Sequence, residues 1–252
     1  MYETIRFDQV ADLYDHYVNV DFDIDFFLKE AKKAKGKILE LTSGTGRVSM
    51  PLLNAGIDLT CVDYSGEMLA VLKKKIEKSG LNCQVHNMDI TELSLENKYD
   101  LILIPFNSLS EITEKRKHKK TLEGVYNHLT ETGVFICTLH NPKIRLKTID
   151  GTLRHMGKYQ ISNDRTLIMQ YIFNYSDKSQ IVSGLQFYEI YDNNNNLIGK
   201  RYLDVNFYLF QKKEFEELIK LVGYQIIDLY GDYSYSRFDE ETSPYMIWKL
   251  KR

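Results

Sequence analysis

The sequence is short of cysteine, of long apolar runs and of excess charge, and each shortage excludes a class of protein. Its 252 residues include three cysteines, an odd number without the spacings of a disulfide framework, which favours reduced thiols in a cytoplasmic protein. No apolar run reaches about 18 residues, so we expect no membrane span. Met1-Tyr2-Glu3 is unlike the start of a signal peptide. The formal net charge of -2 argues against a protein that binds nucleic acid through bulk positive charge.

The spacings typical of metal sites and of dinucleotide sites are also missing. The six histidines and three cysteines form no H-x-x-x-H or C-x-x-C pair, so we expect no metal ion. Gly44 and Gly46 form a G-x-G pair, but the third glycine of G-x-G-x-x-G does not follow. This absence weighs against a nucleotide-dependent oxidoreductase, which remains an alternative.

What the sequence does contain is a strand, a glycine-rich turn and a helix in direct succession, at ILELTSGTGRVSM. This order presents backbone N–H groups to a nucleotide-like ligand. Glu40 precedes the turn, and a carboxylate there would repel a pyrophosphate but attract a cationic amino group or a sulfonium. Asp63 ends the next strand, about 20 residues after the turn, where an acid accepts hydrogen bonds from ribose hydroxyls. By charge, the turn therefore suits S-adenosylmethionine better than NAD.

The hydrophobic patterns predict an α/β fold with a doubly wound, mostly parallel sheet of seven strands. Residues 2–34 are predicted to be helical with a break at 18–22, and Asp23 or Asp25 is a candidate N-cap. The central unit alternates strands with helices, at 37–41, 46–55, 58–62, 66–78, 83–86, 99–104, 115–129 and 134–139. Four alternating strands then predict an inserted antiparallel sheet, at 153–160, 166–175, 180–191 and 197–209. A helix at 211–222 and strands at 224–230 and 245–250, the last antiparallel, complete the first sheet.

Several stretches of the chain resemble the successive motifs of class I S-adenosylmethionine-dependent methyltransferases. They are ILELTSGTGR, AGIDLTCVDYSGEML, HNMDI and DLILIPFNSLSEIT. FDQVADLYDHY, GVFICTLHNP and YGDYSYSRFDEETSP are similar to a small-molecule subgroup that includes glycine N-methyltransferase-like and amino-sugar N-methyltransferase enzymes. The resemblance covers nearly the whole chain, least securely 143–209. Thr42 stands where the family often has glycine.

The resemblance implies a set of residues that hold the cofactor S-adenosylmethionine. Glu40, Gly44 and Gly46 would line its methionine end, Tyr14 would reach its carboxylate, and Asp63 would take the ribose. Tyr64 and Met88 would sandwich the adenine, for which plain packing of Met88 is the alternative. Asp89 would bond the exocyclic amine, unless it only caps the turn that follows. The remaining residues expected to contact the cofactor are Thr42, Met68, Ile104 and Phe106.

The candidate catalytic and acceptor-binding residues lie at the carboxyl edge of the sheet or on the segments expected to cover it. Asn107 follows the fourth strand and could steer the acceptor, while His140 ends the fifth and could act as a general base. Tyr14 is a further catalytic candidate, and Tyr17 lies on roughly the same helical face. The candidates to bind the acceptor are Tyr17, Asn107, His140, Tyr188, Tyr202 and Arg237, with packing or a surface ion pair as their alternative roles.

The predicted function is methyl transfer to a small molecule. The resemblance favours an amine nitrogen, with a hydroxyl oxygen as the alternative, and a non-catalytic cofactor-binding protein is a third possibility. We expect residues 1–35 to form a helical lid, 36–142 and 210–252 the cofactor-binding domain, and 143–209 a roof over the acceptor. We expect a monomer or a homodimer, without a nucleic-acid or membrane partner.

Overall fold

The computed structural model describes residues 4–252, so Met1-Tyr2-Glu3 and the start of the predicted lid lie outside it. None of the helices in this range is long and apolar enough to cross a membrane. The helices are α1 Ala11–Tyr17, α2 Ile24–Ala31, α3 Ser49–Asn54, α4 Gly66–Lys78, α5 Lys115–His128, α6 Pro142–Arg145 and α7 Lys212–Val222. Short 3-10 helices span Phe7–Val10, Ile90–Glu92, Ser108–Glu111 and Leu146–Thr148. The strands are β1 Ile38–Leu41, β2 Leu59–Asp63, β3 Gln84–Asn87, β4 Tyr99–Ile104, β5 Leu129–His140, β6 Arg154–Ser162, β7 Arg165–Ser176, β8 Ile181–Asp192, β9 Leu197–Tyr208, β10 Gln225–Tyr230 and β11 Tyr245–Lys251.

The larger sheet has seven strands in the order β10-β11-β5-β4-β1-β2-β3. Strands β1 to β5 pair in parallel, whereas β11 runs antiparallel to both β5 and β10. This topology confirms the predicted doubly wound sheet and the antiparallel last strand. It also brings the carboxyl ends of β1, β2, β4 and β5 to one edge, where open α/β sheets bind their ligands.

Helices cover both faces of this sheet, which explains why its central strands are almost uniformly apolar. On one face, Ile38, Leu59 and Leu103 pack with Phe27 of α2 and Leu72 of α4. On the other face, side chains of α5 and α7 cover the neighbouring strand residues Leu39, Leu41, Ile102 and Ile104. Successive strand residues therefore alternate between the two halves of the core.

The smaller sheet is an antiparallel meander in the order β6-β7-β8-β9. Its apolar positions alternate as predicted, with Leu167, Met169 and Phe173 of β7 buried. These side chains form one cluster with Val10 and Leu13 of the N-terminal segment. The second sheet therefore packs against the first helices of the chain.

Polar contacts fix the N-terminal segment over the glycine-rich turn. Thr45 Oγ1 donates to Asp15 Oδ1 at 2.6 Å, and Ser65 Oγ donates to Asp8 Oδ1 at 2.5 Å. Lys75 Nζ lies 2.6 Å from the other oxygen of Asp15. The N-terminal helices consequently lie beside the ends of β1 and β2, the edge at which a ligand is expected.

Among the departures of the structure from the predicted elements, three bear on the site. Strand β5 begins at Leu129, which pairs with Tyr99 of β4, and it ends at His140, which pairs with Tyr245 of β11. Helix α6 was not predicted, since its four residues are too few to give a periodic pattern. Asp23 is the N-cap residue of α2, but its side chain does not cap the helix and instead binds Arg47 at 2.5 and 2.7 Å.

Candidate active site

The turn after β1 is held in a conformation that few residues adopt. Thr42, Gly44 and Gly46 have φ values of 61°, 54° and 88°, in the left-handed region where glycine is favoured. A Cβ on Gly46 would lie only 2.4 Å from Leu72 Cδ1, so this glycine also permits close packing of α4. Met68 lies beneath Gly44 and is buried. The turn is thus bent sharply with its backbone N–H groups at the sheet edge.

Asp63 locks this turn to the end of β2. Its Oδ2 accepts a hydrogen bond from Gly44 N, and its Oδ1 accepts one from Ser65 N, each at 2.8 Å. Burial raises the pKa of Asp63, while these backbone N–H groups oppose the shift. Each carboxylate oxygen has a second lone pair that can accept a further hydrogen bond. Asp63 can therefore organise the turn and still accept from a ligand hydroxyl.

Glu40 is enclosed behind the turn. Its side chain is 1% exposed, and Ser49 Oγ donates to its Oε2 at 2.6 Å. Burial raises the pKa of Glu40 to about 8, and the hydrogen bond from Ser49 and the charge of Arg47 oppose that rise. Glu40 lies outside the lining of both cavities described below. At neutral pH much of Glu40 is therefore protonated, and its carboxyl lies behind the turn with Ser49 as its hydrogen-bond partner.

The first cavity, which we call the polar cavity, lies beside the ends of β2, β3 and β4. Its lining includes Thr42, Tyr64, Met88, Asp89, Glu111 and Lys117. Met88 Sδ accepts a hydrogen bond from Ser94 N at 3.4 Å, and the Tyr64 hydroxyl donates to the carbonyl of Ile5. The polar cavity thus brings together four of the residues expected to contact the cofactor.

Asp89 in the polar cavity caps the turn that follows it, one of the two roles that the sequence offered as alternatives. Its Oδ1 accepts from Thr91 N at 2.8 Å and so caps the 3-10 helix that begins at Ile90. The residue is exposed, and it lines the cavity. Its carboxylate can therefore cap the turn with one oxygen and accept from a ligand with the other.

The second cavity, the aromatic cavity, lies between the N-terminal helices, the ends of β4 and β5, and the smaller sheet. Its lining includes Tyr14, Phe106, Asn107, His140, Arg145 and Phe207. Phe106 and Asn107 have φ values of 57° and 64°, two successive left-handed residues that are not glycine. Such strain is concentrated at functional sites. Ile104, which ends β4 just before them, is fully buried in the core and lines neither cavity.

Asn107 carries a polar atom without a partner at the wall of the aromatic cavity. Its Oδ1 is buried, and none of the residues from 4 to 252 donates a hydrogen bond to it. A buried acceptor without a donor is costly, which makes it a candidate to receive one from a ligand.

His140 and Arg145 form the polar part of the same cavity. Burial lowers the pKa of His140 to about 3, and the charge of Arg145 lowers it further. The Arg145 guanidinium carbon lies 5.5 Å from the Phe207 ring centroid and 5.8 Å from that of Phe173. Its Nε is buried without a hydrogen-bond partner among the described residues, and burial lowers its pKa. The cavity therefore contains a neutral imidazole and an arginine whose hydrogen bonds are incomplete.

Three tyrosines connect the N-terminal helix to the smaller sheet. The ring centroid of Tyr14 lies 5.4 Å from that of Tyr17, and both line the aromatic cavity. The hydroxyls of Tyr17 and Tyr188 are 3.0 Å apart, and the Tyr188 hydroxyl donates to Gln186 Oε1 at 2.8 Å. Tyr188 is fully buried, so it supports Tyr17 from behind and does not itself line the cavity.

Two of the expected acceptor-binding residues lie elsewhere. Tyr202 is 61% exposed because neighbouring residues of β9 alternate, and Leu203 and Val205 face the core instead. Arg237 is exposed near β10, where its backbone forms a bridge with Tyr230. Neither side chain lines the polar or the aromatic cavity.

Sequence reasoning missed Glu111 and Arg145. Glu111 ends a 3-10 helix and lines both cavities. Burial raises its pKa to about 8, and the charge of Asp63 adds to the rise. The available signals were an acid within the motif-like stretch DLILIPFNSLSEIT and the start of a short helix at Pro142. No group of three or more His, Cys, Asp or Glu side chains in residues 4–252 is arranged to hold a metal ion.

Comparisons with known proteins agree with this arrangement. A family described as a methyltransferase domain matches residues 38–133, which contain the glycine-rich turn and strands β1 to β4. A glycine/sarcosine N-methyltransferase from Halorhodospira halochloris is 30% identical over 229 residues, which cover 90% of this chain and 80% of that protein. Among solved structures, an S-adenosylmethionine-dependent methyltransferase from Clostridium acetobutylicum has a TM-score of 0.81 at 22% identity, covering 97% of this chain and 98% of that one. A sugar N-methyltransferase from a Streptoalloteichus species has a TM-score of 0.77 at 16% identity, covering 96% and 92%.

The similarity to the Halorhodospira protein covers most of both chains. The matched domain contains the turn, Asp63 and Asp89 in their expected order. The seven-stranded sheet and its inserted antiparallel sheet agree with those neighbours in fold. The chain belongs to the class I S-adenosylmethionine-dependent methyltransferases that act on small molecules, and its cofactor is S-adenosylmethionine.

Proposed function

We propose that the enzyme transfers the methyl group to the amine nitrogen of a small acceptor that also carries an anionic group, such as a carboxylate. The observation that carries this proposal is Arg145, a guanidinium in the aromatic cavity with a buried Nε that lacks a partner among the described residues. Arginine binds carboxylates through two parallel hydrogen bonds. An anionic acceptor group would complete the hydrogen bonding of Arg145.

The residues of the polar cavity fit the adenosine part of the cofactor. The exposed carboxylate of Asp89 can accept from the exocyclic amine, and Tyr64 and Met88 offer faces for the adenine. Asp63, which is buried at the end of β2 and lies outside the lining of this cavity, can accept from a ribose hydroxyl through its remaining lone pairs. Thr42 joins this wall, while Met68 and Ile104 support it from the core.

The methionine part is proposed to extend from the glycine-rich turn toward Tyr14. The left-handed turn at Gly44 and Gly46 presents backbone N–H groups at the sheet edge, and the Glu40 carboxyl behind it would favour a cationic amino group once it is ionised. Tyr14 and Phe106 line the aromatic cavity at this side. The bound cofactor supplies an activated methyl group on a positively charged sulfur.

The acceptor is proposed to lie in the aromatic cavity with its amine at Asn107. The free Oδ1 of Asn107 can accept a hydrogen bond from the amine and so direct the nitrogen lone pair. In-line transfer requires that alignment and the exclusion of water. Tyr17 contributes to the wall, with Tyr188 behind it.

His140 is proposed to contribute a neutral imidazole to the acceptor pocket. Its low pKa makes it a weak base, and an amine needs no strong base once it is neutral. A hydroxyl acceptor would need more help with proton removal, so this environment supports nitrogen over oxygen. The non-catalytic alternative is disfavoured by the presence of a second lined cavity beside the first.

We further propose that residues 1–35 act as a lid and 143–209 as a roof over the site, joined to a cofactor-binding domain of 36–142 and 210–252. The support is the shared core between the N-terminal segment and the smaller sheet, together with the contacts of Asp8 and Asp15 across the turn. These contacts would exclude water when both ligands are bound.

Two relatives suggest the acceptors to test first. The Halorhodospira protein is named a glycine/sarcosine N-methyltransferase, and the Streptoalloteichus protein a sugar N-methyltransferase. Radiolabelled methyl transfer should be measured with glycine, sarcosine, an amino sugar without an acidic group, and hydroxylated metabolites. We expect an amine with an anionic group to be the preferred acceptor. Preference for an uncharged amino sugar or for a hydroxyl would contradict the proposal.

Arg145→Met tests the role of the guanidinium. We expect the KM for the anionic acceptor to rise by about one to two orders of magnitude, since a hydrogen bond to a charged group contributes about 1.5–3 kcal/mol. Arg145→Lys should recover part of the loss, because it keeps the charge but not the paired geometry. Arg237→Met is the matched control, since Arg237 is exposed away from both cavities. An equal effect of the two methionine variants would contradict the assignment.

A further inference from the structure

Glu111 occupies a position that no other acid in residues 4–252 shares. It is the one residue that lines both the polar cavity and the aromatic cavity. It ends the 3-10 helix Ser108–Glu111, which follows the two strained residues after β4. Any pair of ligands that react with each other across these cavities must meet beside it.

The carboxyl of Glu111 lacks a cationic partner within the described part of the chain. No lysine, arginine or histidine nitrogen forms an ion pair with it, whereas Glu114 in the same loop pairs with Arg116 and Lys117. Its polar contact is a hydrogen bond with Ser108. A carboxyl at a cavity wall without a basic partner is suited to a positively charged ligand.

The ionisable groups around Glu111 have mostly acidic or neutral character. Asp63, Tyr14 and Tyr64 interact with it electrostatically, and the charge of Asp63 disfavours its ionised form. The other titratable groups lining the cavities are Asp89, Glu114, Lys117, Tyr17, His140, Arg145 and Tyr245. Without a ligand, this environment raises the pKa of Glu111 to about 8, so a large fraction is protonated at neutral pH.

We infer that Glu111 distinguishes the charged cofactor from its neutral product, by presenting a carboxylate to the positive sulfur where the two cavities meet. The inference rests on the proposed function, because it takes the polar cavity as the cofactor site and the aromatic cavity as the acceptor site. Glu111 is thus a specificity-determining residue for the cofactor. It is not assigned a bond-making role.

The charges balance during a turnover. Glu111 releases a proton to solvent when the positively charged sulfur binds beside it. Methyl transfer breaks the carbon–sulfur bond, leaves its electron pair on sulfur, forms a carbon–nitrogen bond and moves the positive charge to nitrogen. Glu111 then faces a neutral sulfur and takes up a proton again when the product, with its positive charge on the methylated nitrogen, leaves. Once Glu111 is protonated, it no longer attracts a positively charged sulfur. The site then loses its preference for S-adenosylmethionine over S-adenosylhomocysteine.

Calorimetry of the whole chain with S-adenosylmethionine and with S-adenosylhomocysteine tests this inference without an acceptor. The two molecules differ by a methyl group and one positive charge, so their other contacts cancel in the comparison. Titrations at pH 7 in buffers of different ionisation enthalpy give the number of protons released. We expect wild type to release more protons with S-adenosylmethionine, and we expect its preference for that ligand to increase about tenfold from pH 6 to pH 9.

Glu111→Gln should abolish both the extra proton release and the pH dependence of the preference. Glu111→Asp should recover part of each, which a purely structural role would not do. Glu92→Gln is the matched control, because Glu92 is an exposed acid of the neighbouring 3-10 helix Ile90–Glu92, paired with Lys120. Unfolding midpoints establish that each variant is folded.

The possible results distinguish a failure of the role inferred for Glu111 from a failure of the proposed cofactor site. Equal proton release for both ligands in wild type, or an unchanged preference in Glu111→Gln, overturns the role of Glu111 alone. Absence of S-adenosylmethionine binding by wild type overturns the proposed cofactor site and the inference together. Extra proton release that persists in Glu111→Gln assigns the titration to another group and contradicts the inference.

Discussion

The two cavities meet at Glu111 but are built from different parts of the chain. The polar cavity is formed mainly by loops that follow β1 to β4, and its acids are Asp89, Glu111 and Glu114. The aromatic cavity combines the N-terminal helices, the end of β5, helix α6 and the smaller sheet. Its cation is Arg145. One cavity thus suits a cationic ligand, and the other suits an acceptor with an anionic group.

Because the two cavities are built from different segments, this fold can keep its cofactor site while its acceptor site changes. Strand ends of the parallel sheet fix the polar cavity, so the positions of its side chains depend on the order of strands and turns in this architecture. The aromatic cavity depends on an inserted sheet and on terminal helices, which can vary without disturbing the parallel strands. Burial favours the neutral form of ionisable groups around the site, because it raises the pKa of Glu40 and Glu111 and lowers that of His140.

Glu40→Gln should have the largest effect of the variants considered, and the effect is on the free energy of unfolding. The pKa of Glu40 is raised to about 8 in the folded chain, so between its unfolded pKa and pH 8 the folded state binds more protons than the unfolded state. Its contribution to stability therefore falls as pH rises through that window. We expect the free energy of unfolding of wild type, relative to Glu40→Gln, to fall by roughly 3–5 kcal/mol from pH 4.5 to pH 8. Urea unfolding at several pH values measures this, and parallel curves for the two proteins would contradict it.

Asp63→Ala tests the cofactor side of this comparison through the affinities for S-adenosylmethionine and S-adenosylhomocysteine. Its loss removes the acceptor for Gly44 N and the proposed ribose contact. We expect S-adenosylmethionine and S-adenosylhomocysteine to weaken equally, by about 1.5–3 kcal/mol, because the ribose is common to both. Calorimetry measures both affinities. Asp58→Ala, an exposed acid just before β2, should leave them unchanged. A loss for only one of the two ligands would be inconsistent with a ribose contact.

His140→Gln should give a smaller pH effect of opposite sign. The pKa of His140 is lowered to about 3 in the folded chain, so below its usual pKa the unfolded state takes up a proton that the folded state does not. Stability is therefore lost as pH falls. We expect wild type to lose about 2 kcal/mol relative to His140→Gln between pH 6.5 and pH 5. Unfolding curves at these two pH values measure the loss, and a gain would place the imidazole in a different environment.

The sequence was most informative where local signals and sheet order agree. The bounds of β4 and α4 were predicted as the structure has them. The glycine-rich turn and Asp63 were identified because strand, turn and acid follow one another within a short stretch. Residues of the polar cavity could therefore be named before the fold was known.

The aromatic cavity could be predicted less well because it joins residues that are far apart in the chain. Tyr202 and Arg237 had suitable chemistry, but strand alternation and the position of the last loop direct them elsewhere. Arg145 lies on a helix too short for periodicity to reveal. Glu111 gains its importance from the meeting of two cavities, which no local pattern encodes.

The most direct test of this division is a crystal structure of the chain with S-adenosylhomocysteine. We expect the adenine to lie between Tyr64 and Met88 with its amine at Asp89, and the sulfur to point past Glu111 toward the aromatic cavity. Adenine bound among the rings of the aromatic cavity, or a sulfur remote from Glu111, would contradict it.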